Sequence, residues 1–431
     1  MRPLLLLLAL LAFPAAAQAR LTPEERRMAA AVDAERDRTI ALLERLVNRN
    51  SGSLNLEGVR AVGAMMRSEL EPLGFAVHWV DMTATGRAGH IVATHRGAGR
   101  NVLLIGHLDT VFEPDSPFRR FTRTGSRATG PGVGDDKGGL AVIVAALRAM
   151  HAAGTLRTAN ITVVLTGDEE RTGSPIAIAR RDLIEAGRAA DFALEFENLV
   201  TDNGQEFGSV ARRSSTNWTL TAHGRTGHSS GVCGANLGCG AIYELARILD
   251  AFRRELPEPN LTYNVGVMAG GTPATLDADG FRATSSGKTN IVAEAAVARG
   301  DLRSLTPEQD ARVRARMQAI VGQHLPNTSA ELVFGEDGYP PMAPTEGNRA
   351  LLARLNMVNR DLGLPEMPEY DPARRGAADS SFVAADVDTL AGLGAAGGGS
   401  HAEGEWVDLD SLPRQARRAA ILITRLTRER R

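Results

Sequence analysis

Cysteine and lysine are nearly missing from this chain of 431 residues: Cys233 and Cys239 are the only cysteines, Lys137 and Lys288 the only lysines. Two cysteines exclude a disulfide-built scaffold. Without a second Cys or His pair beside them they do not make a zinc site of their own. They stand together in a Gly-rich segment, which leaves a small-loop disulfide and two separate thiols both open. Surplus charge is also lacking, with a formal net charge of -2 and no polybasic run. That gives no footing for nucleic acid or for an anionic membrane surface. No stretch after the N-terminus is long and apolar enough to span a bilayer.

The N-terminus is apolar, and informative. Arg2 precedes the run Leu4 to Phe13, then Pro14, then small residues ending Ala17-Gln18-Ala19. This reads as a secretory signal peptide over residues 1–19, since the run is too short for a bilayer of about 30 Å. The expectation is an exported chain, periplasmic or secreted, with no membrane contact after cleavage.

From Pro23 to about Asn50 the pattern is helical, with Ile40, Leu43 and Val47 on one face, and a second helix runs near Glu57 to Leu70. Phe75 to Val80 and Ile91 to His95 read as strands. Three runs, Val102 to Ile105, Ile161 to Leu165 and Phe192 to Leu194, are apolar at nearly every position, as strands buried on both faces are. Helices near 139–152 and 176–186 separate them, which predicts an α/β layer. Residues 209–333 then read strand, helix, strand, strand, helix, strand, the order of a small ferredoxin-like unit. The expected organisation is a discontinuous large domain, 20–207 and 336–431, with an inserted domain at 208–335.

Ligands of an open α/β sheet bind beyond the carboxyl ends of its strands. There the sequence places Gly106-His107-Leu108-Asp109, then Asp168-Glu169-Glu170, then Glu197. Asp135-Asp136 follows a Gly-rich turn and precedes a helix, and His401 follows Gly397-Gly398-Gly399-Ser400. Singly, each has a bland reading: a His-x-Asp after a strand is common, and an acidic triplet is usually a solvated turn. The Gly-rich turn is a poor phosphate cradle, because Asp135 and Asp136 repel phosphate. Together the carboxylates would repel one another without a cation, and mixed His and carboxylate donors suit zinc. His78, His90, His95, His151, His223 and His324 carry no such context.

The segments Gly106-His107-Leu108-Asp109-Thr110, 130–139 (Gly-Pro-Gly-Val-Gly-Asp-Asp-Lys-Gly-Gly), Thr166-Gly167-Asp168-Glu169-Glu170 and 224–230 (Gly-Arg-Thr-Gly-His-Ser-Ser) resemble the M20 family of metallopeptidases, and most of all its glutamate carboxypeptidase (carboxypeptidase G2-like) branch. The likeness runs in order over essentially the whole chain after the leader. It implies a zinc-peptidase-like α/β catalytic domain, its mainly parallel mixed sheet flanked by helices, with an inserted ferredoxin-like α+β lid that makes a homodimer. It implies two Zn(2+) per subunit sharing Asp135, one completed by His107 and Glu197, the other by Glu170 and His401. Asp109 orients His107, Glu169 is the general base toward a metal-activated water, and His228 of the lid stabilises the oxyanion. Asn290 and Arg303 match lid positions that contact substrate.

The chain departs from that branch at Gly338-Tyr339-Pro340, where Tyr339 replaces an Arg that holds the substrate carboxylate, and at Gly376-Ala377-Ala378-Asp379, where a Gly-rich loop is altered. Carboxylate recognition then falls to Arg303, Arg212 or Arg213, or is lost. The expected substrate is a small peptide, cleaved by a carboxypeptidase or dipeptidase. The alternatives are an N-acyl amino acid, cleaved by a deacylase, and a non-catalytic binding protein on the same scaffold.

Overall fold

The computed structural model describes residues 21–430, so the leader read at 1–19 lies outside the described residues. The chain enters through α1 (Pro23–Ala34), α2 (Arg36–Val47) and α3 (Leu56–Leu70). The single helix expected over 23–50 is two: Glu35, at φ -99° and ψ 12°, ends the first and starts the second. Pro23 opens α1, and Thr22 and Glu25 close a reciprocal capping box over its free N–H groups.

Next come β1 (Ala76–Asp81), β2 (Gly89–His95), β3 (Asn101–His107), α4 (Lys137–Ala153), β4 (Asn160–Thr166), α5 (Arg181–Arg188) and β5 (Phe192–Glu195). With β10 (Thr389–Leu390) they form one sheet in the order β1-β2-β4-β3-β5-β10. The first two pairings are antiparallel and the last three parallel. Successive side chains of a strand point to opposite faces. Accordingly Val102 and Leu104 enter the core beneath α4, while Leu103 and Ile105 enter a second core with Leu183, Ala193 and Val383. Covering on both faces explains why these runs carry no polar alternation. The register sets His107 opposite Thr166 and Ile105 opposite Glu195, so three strands end along one edge.

A second, all-antiparallel sheet is built from β6 (Thr216–Gly224), β7 (Thr262–Gly271), β8 (Ala295–Arg303) and β9 (Thr328–Phe334), in the order β7-β8-β6-β9. Helices α6 (Ala241–Glu255) and α7 (Pro307–Val321) cover one face over a separate core centred on Trp218, Ile248, Phe252 and Met317. Trp218 lies opposite Gly300, where a Cβ would stand 2.5 Å from the indole and 1.7 Å from the Asn264 carbonyl. Only glycine fits there. Connection order and strand order together are those of a ferredoxin-like unit.

The chain leaves the large unit and returns to it side by side. Arg212 exchanges two backbone hydrogen bonds with Met342, and Ser215 two with Tyr339. Helices α8 (Glu346–Asp361) and α9 (Ser411–Arg428) then complete the large unit, α9 packing on α4 and α1. Among the described residues no helix is long and apolar enough to cross a membrane.

Candidate metal centre

His107 ends β3, and its backbone N–H donates to Asp136 Oδ2 at 3.1 Å. Its Nδ1 faces Asp109, 3.1 Å from the carbonyl and 3.4 Å from Oδ1, which turns Nε2 toward Asp135 Oδ1 at 3.1 Å. Asp109 is fully buried. It accepts the Ser53 hydroxyl at 2.6 Å and the backbone N–H groups of Glu169 and Glu170 at 3.0 and 3.1 Å. One carboxylate therefore aims the imidazole and fixes the acidic turn after β4.

The loop before α4 is shaped from behind by Glu405, which no sequence motif marks. Its carboxylate accepts the backbone N–H groups of Gly132, Gly134 and Asp135 at 3.0, 2.8 and 3.0 Å. Gly139, in the first turn of α4, lies against the Phe196 carbonyl, 1.9 Å from where a Cβ would be. His401 sits at φ +65° after Gly399 at φ +73°, and Asn198 Nδ2 steadies this turn through the Ser400 hydroxyl at 2.7 Å. His401 Nε2 lies 3.3 Å from Asp135 Oδ2 and 3.1 Å from Glu170 Oε2.

Asp135 thus presents one oxygen to each imidazole. Two groups of donors, His107 with Asp135 and Glu197, and Asp135 with Glu170 and His401, each lie within 4.8 Å and share Asp135. Ligand bonds of about 2.0–2.1 Å at tetrahedral angles separate donor atoms by about 3.3 Å, close to the spacings observed. Glu170 Oε1 is buried with no hydrogen-bond partner, a donor left for a cation. Mixed imidazole and carboxylate donors in two groups around one shared carboxylate fit a pair of divalent cations.

The electrostatics agree. Burial pushes Glu169, Glu170 and Asp136 up, and neighbouring carboxylates add to it. Glu197 is pushed up to about 7 by burial, against the opposing pull of Arg212. His401 is raised to about 10 by its bonds to Asp135 and Glu170. His107 is held well above its usual range by Asp109 and Asp135 in spite of burial. The centre is a cluster of carboxylates short of positive charge.

Glu197 rather than Glu195 faces the His107 and Asp135 donors. Glu195 is 1% exposed; its Oε2 accepts from Arg212 Nη2 at 2.5 Å, and the same nitrogen donates to Glu197 Oε2 at 2.7 Å. Arg212, weighed from sequence as a substrate contact, is therefore spent on these two carboxylates. Arg213 bonds Thr262 Oγ1 at 2.9 Å, and Arg303 pairs with Asp301 at 2.9 Å. His228 is exposed, its Nδ1 on the Ser230 hydroxyl at 2.9 Å, and the Ser229 N–H meets the Asn290 carbonyl at 2.9 Å. The structure brings His228 and Asn290 together on the small unit, and among the described residues none of their hydrogen bonds reaches the donor groups. Cys233 and Cys239 are joined in a disulfide within the same loop. His90, given no role from sequence, is buried and accepts the Gly167 N–H at 3.0 Å just before the acidic turn.

A doubly covered α/β sheet with this donor set at its strand ends, and with the Glu169 carboxylate within 4.8 Å of His107 and Glu170 donor atoms, is the layout of a metal-dependent hydrolase. The chain belongs to peptidase family M20/M25/M40, whose model matches residues 103–425. It is a hydrolase acting on peptide or amide bonds. It is 29% identical to carboxypeptidase G2 of Pseudomonas sp. (strain RS-16) over 399 residues, 90% of this chain and 89% of that one. It is 28% identical to succinyl-diaminopimelate desuccinylase of Xanthomonas oryzae pv. oryzae (strain MAFF 311018) over 340 residues, 74% of this chain and 81% of that one. Among solved structures it is similar to the Bacillus subtilis YXEP protein, described as a dinuclear metal binding peptidase from the M20 family. That likeness has a TM-score of 0.63 at 14% identity and covers 92% of this chain and 99% of that one.

Proposed function

We propose that this chain is an exported di-zinc hydrolase that frees an amino acid from a small peptide, as a carboxypeptidase or dipeptidase, with Glu169 as general base. The observation that carries the reading is the opposed pair of contacts on Asp135, one oxygen toward His107 and the other toward His401. His107, Glu197, Glu170 and His401 complete the two ligand sets around it. The cations they hold supply Lewis acidity and make water acidic enough to ionise near neutral pH.

Glu169 accepts the proton of the attacking water and passes it to the amine nitrogen as the C–N bond breaks. Its raised pKa, caused first by burial and then by Glu197, suits a group that must both take and release a proton. His228 donates to the carbonyl oxygen as negative charge builds there. Because its hydrogen bonds stay within its own loop and reach none of the donor groups, we assign it to the centre of a second copy, in a homodimer made through residues 208–335 as lid. Export rests on the leader at 1–19, with cleavage after Ala19.

The likeness to a desuccinylase and the loss of Arg at Tyr339 favour one second reading, a deacylase of N-acyl amino acids. The zinc-loaded chain is assayed against unblocked dipeptides, N-benzoyl amino acids and N-succinyl amino acids, alongside Glu169→Gln. Turnover of dipeptides supports the first reading, and turnover of the acylated compounds alone supports the second. A chain inert toward the whole panel, or a Glu169→Gln variant with full turnover, overturns the mechanism.

A further inference from the structure

Tyr339 lies on the return crossing between the two units, its backbone paired with Ser215. A phenol has one proton to donate and room to accept two. All three places are taken. The hydroxyl donates to the backbone carbonyl of Glu169 at 2.9 Å, accepts from Arg180 Nη2 at 2.8 Å, and meets the Thr172 hydroxyl at 3.1 Å. The ring packs edge-on to Phe382, with centroids 4.8 Å apart. No capacity is left to hold a substrate carboxylate.

The partners are themselves fixed. Arg180 is 0% exposed and is gripped by Asp168 Oδ1 at 2.6 Å and Asp379 Oδ1 at 2.8 Å, and its Nη2 also donates to the Asp168 carbonyl at 3.1 Å. On the opposite side of the same residue, the Glu169 N–H is bonded to Asp109. Glu169 is thus clamped at both backbone ends, while its side chain makes no hydrogen bond among the described residues. A base held this way takes its aim from its backbone alone. Burial keeps the Tyr339 phenol well above its usual pKa, so it stays a donor.

We propose that Tyr339 is a positioning residue for Glu169: through the Glu169 carbonyl, its hydroxyl fixes the peptide unit that presents the base. The inference rests on the reading of Glu169 as general base, and the test separates the two. Turnover of the panel substrate that the wild type accepts is measured for Tyr339→Phe, Glu169→Gln and the double variant, with zinc content and melting temperature. Expected are a kcat about tenfold lower in Tyr339→Phe, KM within about twofold, zinc retained, and no further loss when the change is added to Glu169→Gln.

A Tyr339→Phe enzyme with wild-type kcat beside an inactive Glu169→Gln overturns the proposal and leaves the base assignment standing. So does a further drop of the same size in the double variant, or lost zinc, either of which marks a merely structural role. A fully active Glu169→Gln, or a wild type inert toward the panel, removes the base reading and the proposal with it. If Tyr339→Phe does not fold, Thr172→Val removes one bond from the same hydroxyl and is expected to lower kcat about threefold with KM unchanged. No change in kcat in that variant overturns the proposal.

Discussion

Replacing Arg212 with Met keeps the stem and removes the guanidinium that bonds both Glu195 and Glu197, leaving only Arg375, 3.9 Å from Glu197 Oε2. The side chains of Arg212, Glu195 and Glu197 are 2%, 1% and 12% exposed, so water cannot replace the lost guanidinium. Removing one partner of a buried pair costs about 3–5 kcal/mol. At about 2.1 cal/mol/K of unfolding entropy per residue, roughly 410 residues give about 0.9 kcal/mol/K, so the melting temperature falls about 3–6 °C. Scanning calorimetry in EDTA reads this directly. Adding Glu195→Gln removes one of the opposed charges while Oε1 still accepts the Ser380 N–H, found at 3.2 Å, and recovers at least half the loss. A divalent cation held at Glu197, as proposed, would offset its charge, so the deficit is expected to shrink when one is supplied. An Arg212→Met chain that melts within about 1 °C of wild type in EDTA, or one that Glu195→Gln fails to rescue, refutes the account.

Three further outcomes follow from other parts of the molecule. Glu25 is held below its usual pKa because its bonds to Arg425 and Thr22 outweigh burial, so its contribution is full above about pH 4.5 and lost as pH falls through the folded value. Glu25→Gln lowers stability by about 1–2 kcal/mol at pH 7, and thermal melts at falling pH show the gap closing. Removing the cations with EDTA lowers the melting temperature by several degrees, since a ligand at about 1,000 times its Kd adds about 4.1 kcal/mol; no shift on titrating zinc back counts against the ligand set. Gly139→Ala places a methyl 1.9 Å from the Phe196 carbonyl and 2.2 Å from Asp136 Oδ1, and calorimetry is expected to find a severely destabilised chain or none to measure.

Element types were legible wherever burial is written as a simple pattern. Val102 to Ile105 is apolar throughout because the sheet is covered on both faces, and its end marked the site edge. Two helix breaks were not legible, at Glu35 and, inside the run expected at 176–186, at Arg180 between Ile176–Ala179 and Arg181–Arg188, because neither position is Gly or Pro. At Arg180 the break delivers a guanidinium to Asp168 and Asp379, the latter some two hundred positions away. The ligand candidates were visible because His and carboxylates at strand ends are an unusual accumulation. Their supports were not. Arg212 is one arginine among dozens, Glu405 one carboxylate in a polar loop, and only packing says that the first spans Glu195 and Glu197 and the second cradles three N–H groups. Tyr339 stood out as a substitution, but its hydroxyl's partners could not be read from the chain.

The paired crossings at Arg212 with Met342 and Ser215 with Tyr339 make the small unit an excursion from a single point. All five proposed ligands, and the sheet that presents them, lie outside residues 216–334. A few glycines and serines joining the two crossings can therefore close the remaining chain without stretching it. What such a shortened chain retains or loses measures how much of cation capture needs residues 216–334.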